Sequence, residues 1–153
     1  EGRLEYRALL FIPSRAPRDI FVGKYPKGLQ LYVKSVKIMD RCEDLLPDFL
    51  RFAKGVVDSD DIPLNISREM IQFSRQTSQI RSALTKKILD TLEKQKSDNQ
   101  EKYVEFFKDL GSVLKEGLAS ASEHREKILD LFGSAAMVAV CTAGSGDSLD
   151  RGV

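Results

Sequence analysis

The sequence has little histidine and cysteine and no tryptophan, and these shortages exclude several kinds of site. Its two cysteines, Cys42 and Cys141, lie far apart and form no C-x-x-C pair or cluster with the one histidine, His124. A zinc or other metal site is therefore not predicted. We expect two reduced thiols, as in a cytosol-like compartment. A Ser-His-Asp arrangement also has little support, because no nucleophile pattern accompanies the histidine.

Long hydrophobic runs and an excess of one charge are also missing. No stretch approaches the roughly twenty apolar residues that a membrane-spanning helix needs. Twenty-four basic residues are balanced by 23 acidic ones, with the signs interspersed along the chain, so nucleic-acid binding gains no support. Hydrophobic residues make up 42% and charged residues 31% of the 153 positions, which is typical of a folded domain with a real core.

The first third of the chain carries patterns typical of β-strands. Apolar residues alternate over 4–10, and because the chain opens inside this pattern we expect an excised fragment of a longer protein. The alternation restarts over 29–38, which predicts a second strand antiparallel to the first. Pro47 favours a short helix, residues 52–57 predict a third strand, and the polar run 58–61 predicts a turn.

After Pro63 the apolar period changes to about 3.6 residues, which predicts helices nearly to residue 132. Ser97 with Gln100, and Ser120 with Glu123, have the spacing of capping boxes, and Gly117 is a candidate C-terminal cap. Two separate helices are each predicted from an apolar stripe, formed by Ile80, Leu84, Ile88 and Leu92 and by Tyr103, Phe106, Phe107, Leu110 and Leu114. The residues alone thus indicate an α/β protein with a helical second half.

Few stretches could carry chemistry. Neither a G-x-x-x-x-G-K-[ST] loop nor a G-x-G-x-x-G motif is present, so the usual phosphate loops are missing. Asp58, Asp60 and Asp61 could offer oxygen ligands to a cation, but they lack the spacing of an EF-hand, and a solvated turn is the better interpretation. The aromatic residues around Tyr103 could form a stacking platform, yet at helical spacing they are more typical of core.

The stretch 62–70 is the most suggestive, because a rigid polar loop runs directly into a helix start. Backbone N–H groups at such a start favour anions, and Arg68 would add a fixed cation there. This arrangement can bind phosphate. The alternative is that Arg68 is an ordinary surface arginine near a helix start, with no catalytic role.

The run Gly55–Gln72 closely resembles a signature of the ninety-kilodalton heat-shock chaperones. The opening Glu1–Pro13 looks like a strand of the middle segment of that family, and residues 31–40 resemble its next strand. Residues 110–117 resemble the bacterial or organellar members. Together the similarity covers the chain from Glu1 to about Phe132.

The resemblance implies a mixed-sheet α/β/α sandwich followed by a short helical coil. Residues 1–96 would form the larger α/β subdomain of the middle segment and residues 97–132 the coil. Residues 133–153 do not resemble the segment that follows in the family, and we expect them to be an unassigned tail of non-family sequence.

The resemblance also implies a role in ATP hydrolysis. The family hydrolyses ATP, held with Mg²⁺ in a separate N-terminal domain, and an arginine of the middle segment reaches its terminal phosphate. Arg68 stands at that position, while Asn65 and Gln72 fall on positions that shape or hold the catalytic loop. The chain alone would not be an ATPase. One alternative is a module that binds clients or co-chaperones without a catalytic contribution, and a self-contained enzyme is a further one.

Partners follow from the same resemblance. We expect the N-terminal ATPase domain of the same protein, unfolded or partly folded client proteins and co-chaperones, but neither nucleic acid nor membrane. Because the family dimerises through a C-terminal domain, this chain is expected to be a monomer and the full-length parent a homodimer. The expected location is the bacterial cytoplasm, with a mitochondrial or other organelle matrix as the alternative.

Overall fold

The computed structural model describes residues 4–23, 25–120 and 122–132. Strands β1 to β4 span Tyr6–Phe11, Leu29–Val33, Val36–Cys42 and Lys54–Ser59, and helices α1 to α3 span Arg68–Gln72, Arg75–Asp98 and Gln100–Ser120. Short 3₁₀ helices span Glu43–Leu45, Asp48–Leu50 and Ser122–His124, and residues 125–132 are helical. None of the described helices is both long enough and apolar enough to cross a membrane.

The four strands form one mixed sheet in the order β1-β4-β2-β3. β1 pairs antiparallel with β4, β4 pairs parallel with β2, and β2 pairs antiparallel with β3. The predicted α/β class with a mixed sheet is therefore confirmed. β1 and β2 run in opposite directions, as expected, but they are not neighbours because β4 lies between them.

The predicted single strand over 29–38 is wrong, because the chain reverses at Lys34 and Ser35. Both residues have positive φ, 49° and 65°, which suits the tight hairpin turns whose twist matches that of the strands. The Ser35 backbone N–H and its hydroxyl donate hydrogen bonds of 3.2 and 3.3 Å to the Asp58 carboxylate. The carboxylate of the neighbouring strand thus holds the turn.

The predicted turn over 58–61 begins two residues later than expected. Asp58 and Ser59 belong to β4, since β1 and β2 both offer them ladder partners. The bend starts at Asp60. Local preference for a turn is overridden here by pairing on both sides of the strand.

One face of the sheet forms the core of the first half. Leu29, Leu31 and Val33 alternate along β2 and are fully buried, together with Val57 of β4. The opposite face carries Leu9 and other residues of β1 that remain exposed. The predicted short helix after Pro47 is present as the 3₁₀ helix Asp48–Leu50, and it adds Phe49 and Leu50 to the buried set.

The structure divides into two compact units, with the boundary between Ile88 and Leu89 inside α2. In the first unit, Ile80, Leu84 and Ile88 are buried on α2. In the second unit the predicted aromatic stripe lies in the core, with Tyr103 only 1% exposed and packed 6.1 Å from the Phe107 ring. The proposed subdomain boundary at residue 96 stays a prediction, and the tail 133–153 lies outside the described residues.

The predicted helix caps are wrong in detail. Ser97 lies within α2 and its hydroxyl donates to the Glu93 carbonyl, while the side chain of Asn99 caps α3 by accepting from the Lys102 N–H at 3.1 Å. Ser120 and Gly117 lie within α3, which continues to Ser120. Asn99 is the single residue between α2 and α3, and an asparagine side chain is a good N-cap. Asn99 therefore caps α3, and the predicted cap Ser97 does not.

Tyr103 provides a test of the second unit. Its hydroxyl donates a 2.8 Å hydrogen bond to the Leu131 carbonyl, and burial raises its pKa from 10.0 to about 12. We expect Tyr103→Phe to lower the free energy of unfolding by about 1 to 2 kcal/mol, because a buried carbonyl loses its donor. Urea denaturation at pH 7 measures this, with Tyr6→Phe as the control.

The same tyrosine predicts a loss of stability at high pH. A folded pKa above the unfolded value means that the stabilisation is complete below about pH 10 and is lost as the pH rises through about 12. The stability difference between the native chain and Tyr103→Phe should therefore shrink across this window. A difference that stays constant with pH would contradict the burial of the hydroxyl.

Candidate functional site

The loop that follows β4 is tied at its start to the residue before β1. The Glu5 N–H donates to the Asp61 carboxylate at 2.6 Å, and the Asp60 N–H donates to the Glu5 carbonyl at 3.3 Å. The carboxylates of Asp58 and Asp61 thus accept hydrogen bonds from the protein itself. Within the described part of the chain, no group of three or more His, Cys, Asp or Glu residues could hold a metal ion.

Two buried isoleucines hold the loop at its ends. Ile62 is 1% exposed and Ile71 is fully buried, whereas the residues between them, from Pro63 to Met70, are exposed or half-buried. The loop closes with a hydrogen bond of 3.2 Å from the Ile66 N–H to the Pro63 carbonyl. Asn65 lies in this turn and is exposed. The loop is therefore a surface segment attached to the core on both sides.

Arg68 is the first residue of α1, as the sequence predicts for a helix start. Ser67 caps the helix, accepting a 3.3 Å hydrogen bond from the Met70 N–H. The helix has only five residues, so the expected contribution of a helix dipole is small. The position of Arg68 is set instead by the cap and by the buried Ile71 one turn later.

The side chain of Arg68 lines a polar cleft of about 520 Å³ together with Gln30, Met39, Asp40 and Arg41. Its guanidinium forms no hydrogen bond or ion pair with any residue that the structure describes. The charge of Arg68 acts on Asp40, whose pKa is lowered mainly by its hydrogen bond to Lys37 and to a smaller extent by Arg41 and Arg68. Arg68 is thus an exposed cation with all its donors available to an external anion.

The other two predicted site residues lie elsewhere on the loop and helix. Gln72 ends α1 and is exposed, and Asn65 occupies the turn. Neither lines the cleft that contains Arg68, so their roles stay predictions. Sequence reasoning missed Gln30, Asp40 and Arg41, because only the pairing of β2 with β3 brings them beside the loop.

A second, apolar groove of about 580 Å³ has no lining residue in common with the cleft of Arg68. It is lined by Pro63, Ile66, Glu69, Met70, Phe73, Ser74 and Gln76. Met70 is 62% and Phe73 is 83% exposed, which is unusual for such large apolar side chains. The loop and α1 thus contribute to a polar cleft with a cation and to a separate hydrophobic groove.

Cys42, the last residue of β3, is fully buried, and burial raises the pKa of its thiol to about 11. At pH 8 only about one such thiol in a thousand is a thiolate, which is the reactive form. In a Cys141→Ser variant, we expect Cys42 to react with a thiol reagent at least about 100-fold more slowly in buffer than in 8 M urea. Equal rates, measured spectrophotometrically, would contradict the buried position.

Comparison with known proteins identifies the family. The family model described as Hsp90 protein matches residues 1–138. The chaperone protein HtpG of Nocardia farcinica is 52% identical over 132 residues, and that of Geobacter sulfurreducens is 48% identical over 132 residues. Each match covers 86% of this chain and 20% of the relative. The chain thus spans about a fifth of the length of these relatives.

The fold agrees with the same assignment. The middle domain of a heat shock protein from Plasmodium falciparum superposes with a TM-score of 0.71 at 27% identity. That match covers 86% of this chain and 50% of the other chain. The family model extends over most of the chain, including the loop that carries Arg68, and the chain therefore belongs to the Hsp90 protein family.

Proposed function

We propose that this chain is the middle segment of an ATP-dependent chaperone and that Arg68 contributes to ATP hydrolysis in a separate N-terminal domain. The observation that carries the proposal is the free guanidinium of Arg68, which the described residues leave without a hydrogen bond or ion pair on an exposed loop. Asn65 and Gln72 would hold that loop in its working shape. ATP, with its Mg²⁺, would be held mainly by the other domain.

The chemistry suits an arginine. Phosphoryl transfer is accelerated mainly by positioning and by neutralising the charge of the transferring group. A planar guanidinium supplies a permanent charge and a fork of directed donors that matches phosphate oxygens. Arg68 can therefore serve a nucleotide that its own segment does not bind.

Delivery of Arg68 from a separate domain makes hydrolysis depend on domain closure. The catalytic arrangement is complete only when the nucleotide domain docks beside the loop, so turnover reports a conformational change. Such a dependence links ATP hydrolysis to the remodelling of client proteins. In this scheme the segment takes part in ATP hydrolysis only when the nucleotide domain is docked against it.

A client- or co-chaperone-binding module without a catalytic contribution is the second candidate. It is favoured by the apolar groove beside α1, where Met70 and Phe73 are exposed. Exposed apolar patches of this kind are typical of protein interaction sites. The two candidates are compatible in one protein, but only the first requires Arg68.

The deciding experiment compares ATP hydrolysis by this chain, by the N-terminal domain of the same protein and by the two joined. Turnover only in the joined protein supports the proposed function. Hydrolysis by the isolated chain indicates a self-contained enzyme. If joining the segment leaves the rate of the N-terminal domain unchanged, the binding-module role is favoured.

The proposal also includes a cellular role, a location and an oligomeric state for the parent protein. The relatives are named as chaperones, so a role in the stress response and in protein folding is proposed for the parent protein, in the cytoplasm. The parent would be a homodimer and this chain a monomer. Neither nucleic acid nor membrane enters the scheme.

A further inference from the structure

We propose that Arg41 is a second phosphate-binding side chain, and that Arg41 and Arg68 together form an oxyanion site for the terminal phosphate of the nucleotide. This inference rests on the proposed function and adds a partner to Arg68. It places one guanidinium on the edge strand β3 and the other on the loop after β4. Both line the same polar cleft of about 520 Å³.

An irregularity of the sheet brings Arg41 to this cleft. Leu29 pairs with Cys42 and Leu31 pairs with Met39, so two residues of β3, Asp40 and Arg41, face the single residue Gln30 of β2. This is the arrangement of a β-bulge, which redirects side chains and is frequent beside active sites. The three residues at the bulge all line the cleft with Arg68. The bulge therefore supplies a fixed position for Arg41.

The charges of the cleft favour an anion. Arg41, like Arg68, forms no hydrogen bond or ion pair with any described residue. The single carboxylate among the lining residues, Asp40, is already engaged by the Lys37 ammonium group.

Asp40 offsets only part of the positive charge of the two guanidinium groups that share this cleft, because its carboxylate is also paired with Lys37. A phosphate group between the two guanidinium groups would accept hydrogen bonds from both forks and neutralise the remaining charge. Because Arg41 belongs to a strand of the sheet, its backbone is in place before the nucleotide arrives, and donors held in place in advance lower a reaction barrier most. Gln30 adds an amide donor at the same place.

The first test measures ATP turnover by this chain joined to the N-terminal domain. Arg41→Gln should lower the turnover number by about 100-fold, with the affinity of the N-terminal domain for nucleotide unchanged. Arg41→Lys keeps the charge but loses the forked pair of donors, so its turnover number should lie between those of the native protein and of Arg41→Gln. Arg125→Gln is the matched control, since it removes an exposed arginine that does not line the cleft.

The second test uses the isolated chain and inorganic phosphate, so it does not depend on the other domain. In NMR spectra, the Nε–H signals of Arg41 and Arg68 should shift together on titration with phosphate, while that of Arg125 should not. Sodium chloride at equal ionic strength should leave all three signals in place. Arg41→Gln should reduce the shift of the Arg68 signal, because phosphate then binds to one guanidinium group instead of two.

The outcomes separate this inference from the proposed function. Normal turnover of Arg41→Gln, with slow turnover of Arg68→Ala, overturns the second site and leaves the role of Arg68 in place. Normal turnover of Arg68→Ala overturns the proposed function and the inference with it. If Arg41→Gln fails to fold, the titration of the native chain decides, and an equal response of Arg125 to phosphate overturns the site.

Discussion

Replacing Arg68 with alanine in the joined protein should lower ATP turnover by about 10³-fold, while the affinity for nucleotide stays unchanged. An arginine that reaches a transferring phosphoryl group is worth about 10³ to 10⁵ in turnover. The lower end is expected here because Arg41 would still supply positive charge in the cleft. Nucleotide affinity should be spared because, in the proposed scheme, the N-terminal domain holds the nucleotide.

Single-turnover hydrolysis and a separate nucleotide-binding measurement distinguish these two effects. Arg68→Lys should recover part of the rate, since it restores the charge without the planar fork. Asn65→Ala and Gln72→Ala should have smaller effects than Arg68→Ala, because these side chains lie outside the cleft and would act by holding the loop. Unchanged turnover in Arg68→Ala would rule out the catalytic assignment.

Replacing Gly55 with alanine should lower the free energy of unfolding by at least about 3 kcal/mol, the largest effect expected from an alanine substitution at any glycine that the structure describes. Gly55 has a φ of 154° and opposes Leu10 in the pairing of β4 with β1. A Cβ atom there would stand 2.1 Å from the Leu9 carbonyl oxygen. Relief requires β1 to move away from β4, because the contact is with backbone.

Gly23→Ala is the matched control, because a Cβ atom at Gly23 meets nothing within 4 Å. We expect it to change the free energy of unfolding by less than about 1 kcal/mol. Urea denaturation followed by circular dichroism compares the two variants directly. Similar stability of both would show that β1 does not approach β4 as closely as the structure indicates.

Local patterns predicted much of the secondary structure for identifiable reasons. The stripes of α2 and α3 were predictable because a buried helix face repeats every 3.6 residues whatever it packs against. The helix start at Arg68 was predictable from the loop composition before it. The turn at Lys34 and Ser35 was not predictable, since lysine and serine are not among the residues that usually mark a hairpin turn.

The candidate site likewise contains one residue that the sequence could predict and one that it could not. Arg68 could be singled out from its motif and from its place at a helix start. Arg41 could not, because it lies 27 positions earlier in the chain and is linked to the loop only through the sheet. The corrected caps at Ser97 and Ser120 have a related cause: several polar residues near a helix end can accept the same hydrogen bond, and the length of the connection selects one.

The sequence by itself determined the α/β composition, the two long helices and the family to which the chain belongs. It did so because periodicity and a long contiguous motif are properties of neighbouring residues. Only the tertiary structure decided that β4 lies between β1 and β2, and that a bulge of β3 brings Arg41 beside Arg68. Strand order and bulges depend on hydrogen bonds between distant segments, for which no local pattern in the chain provides a signal.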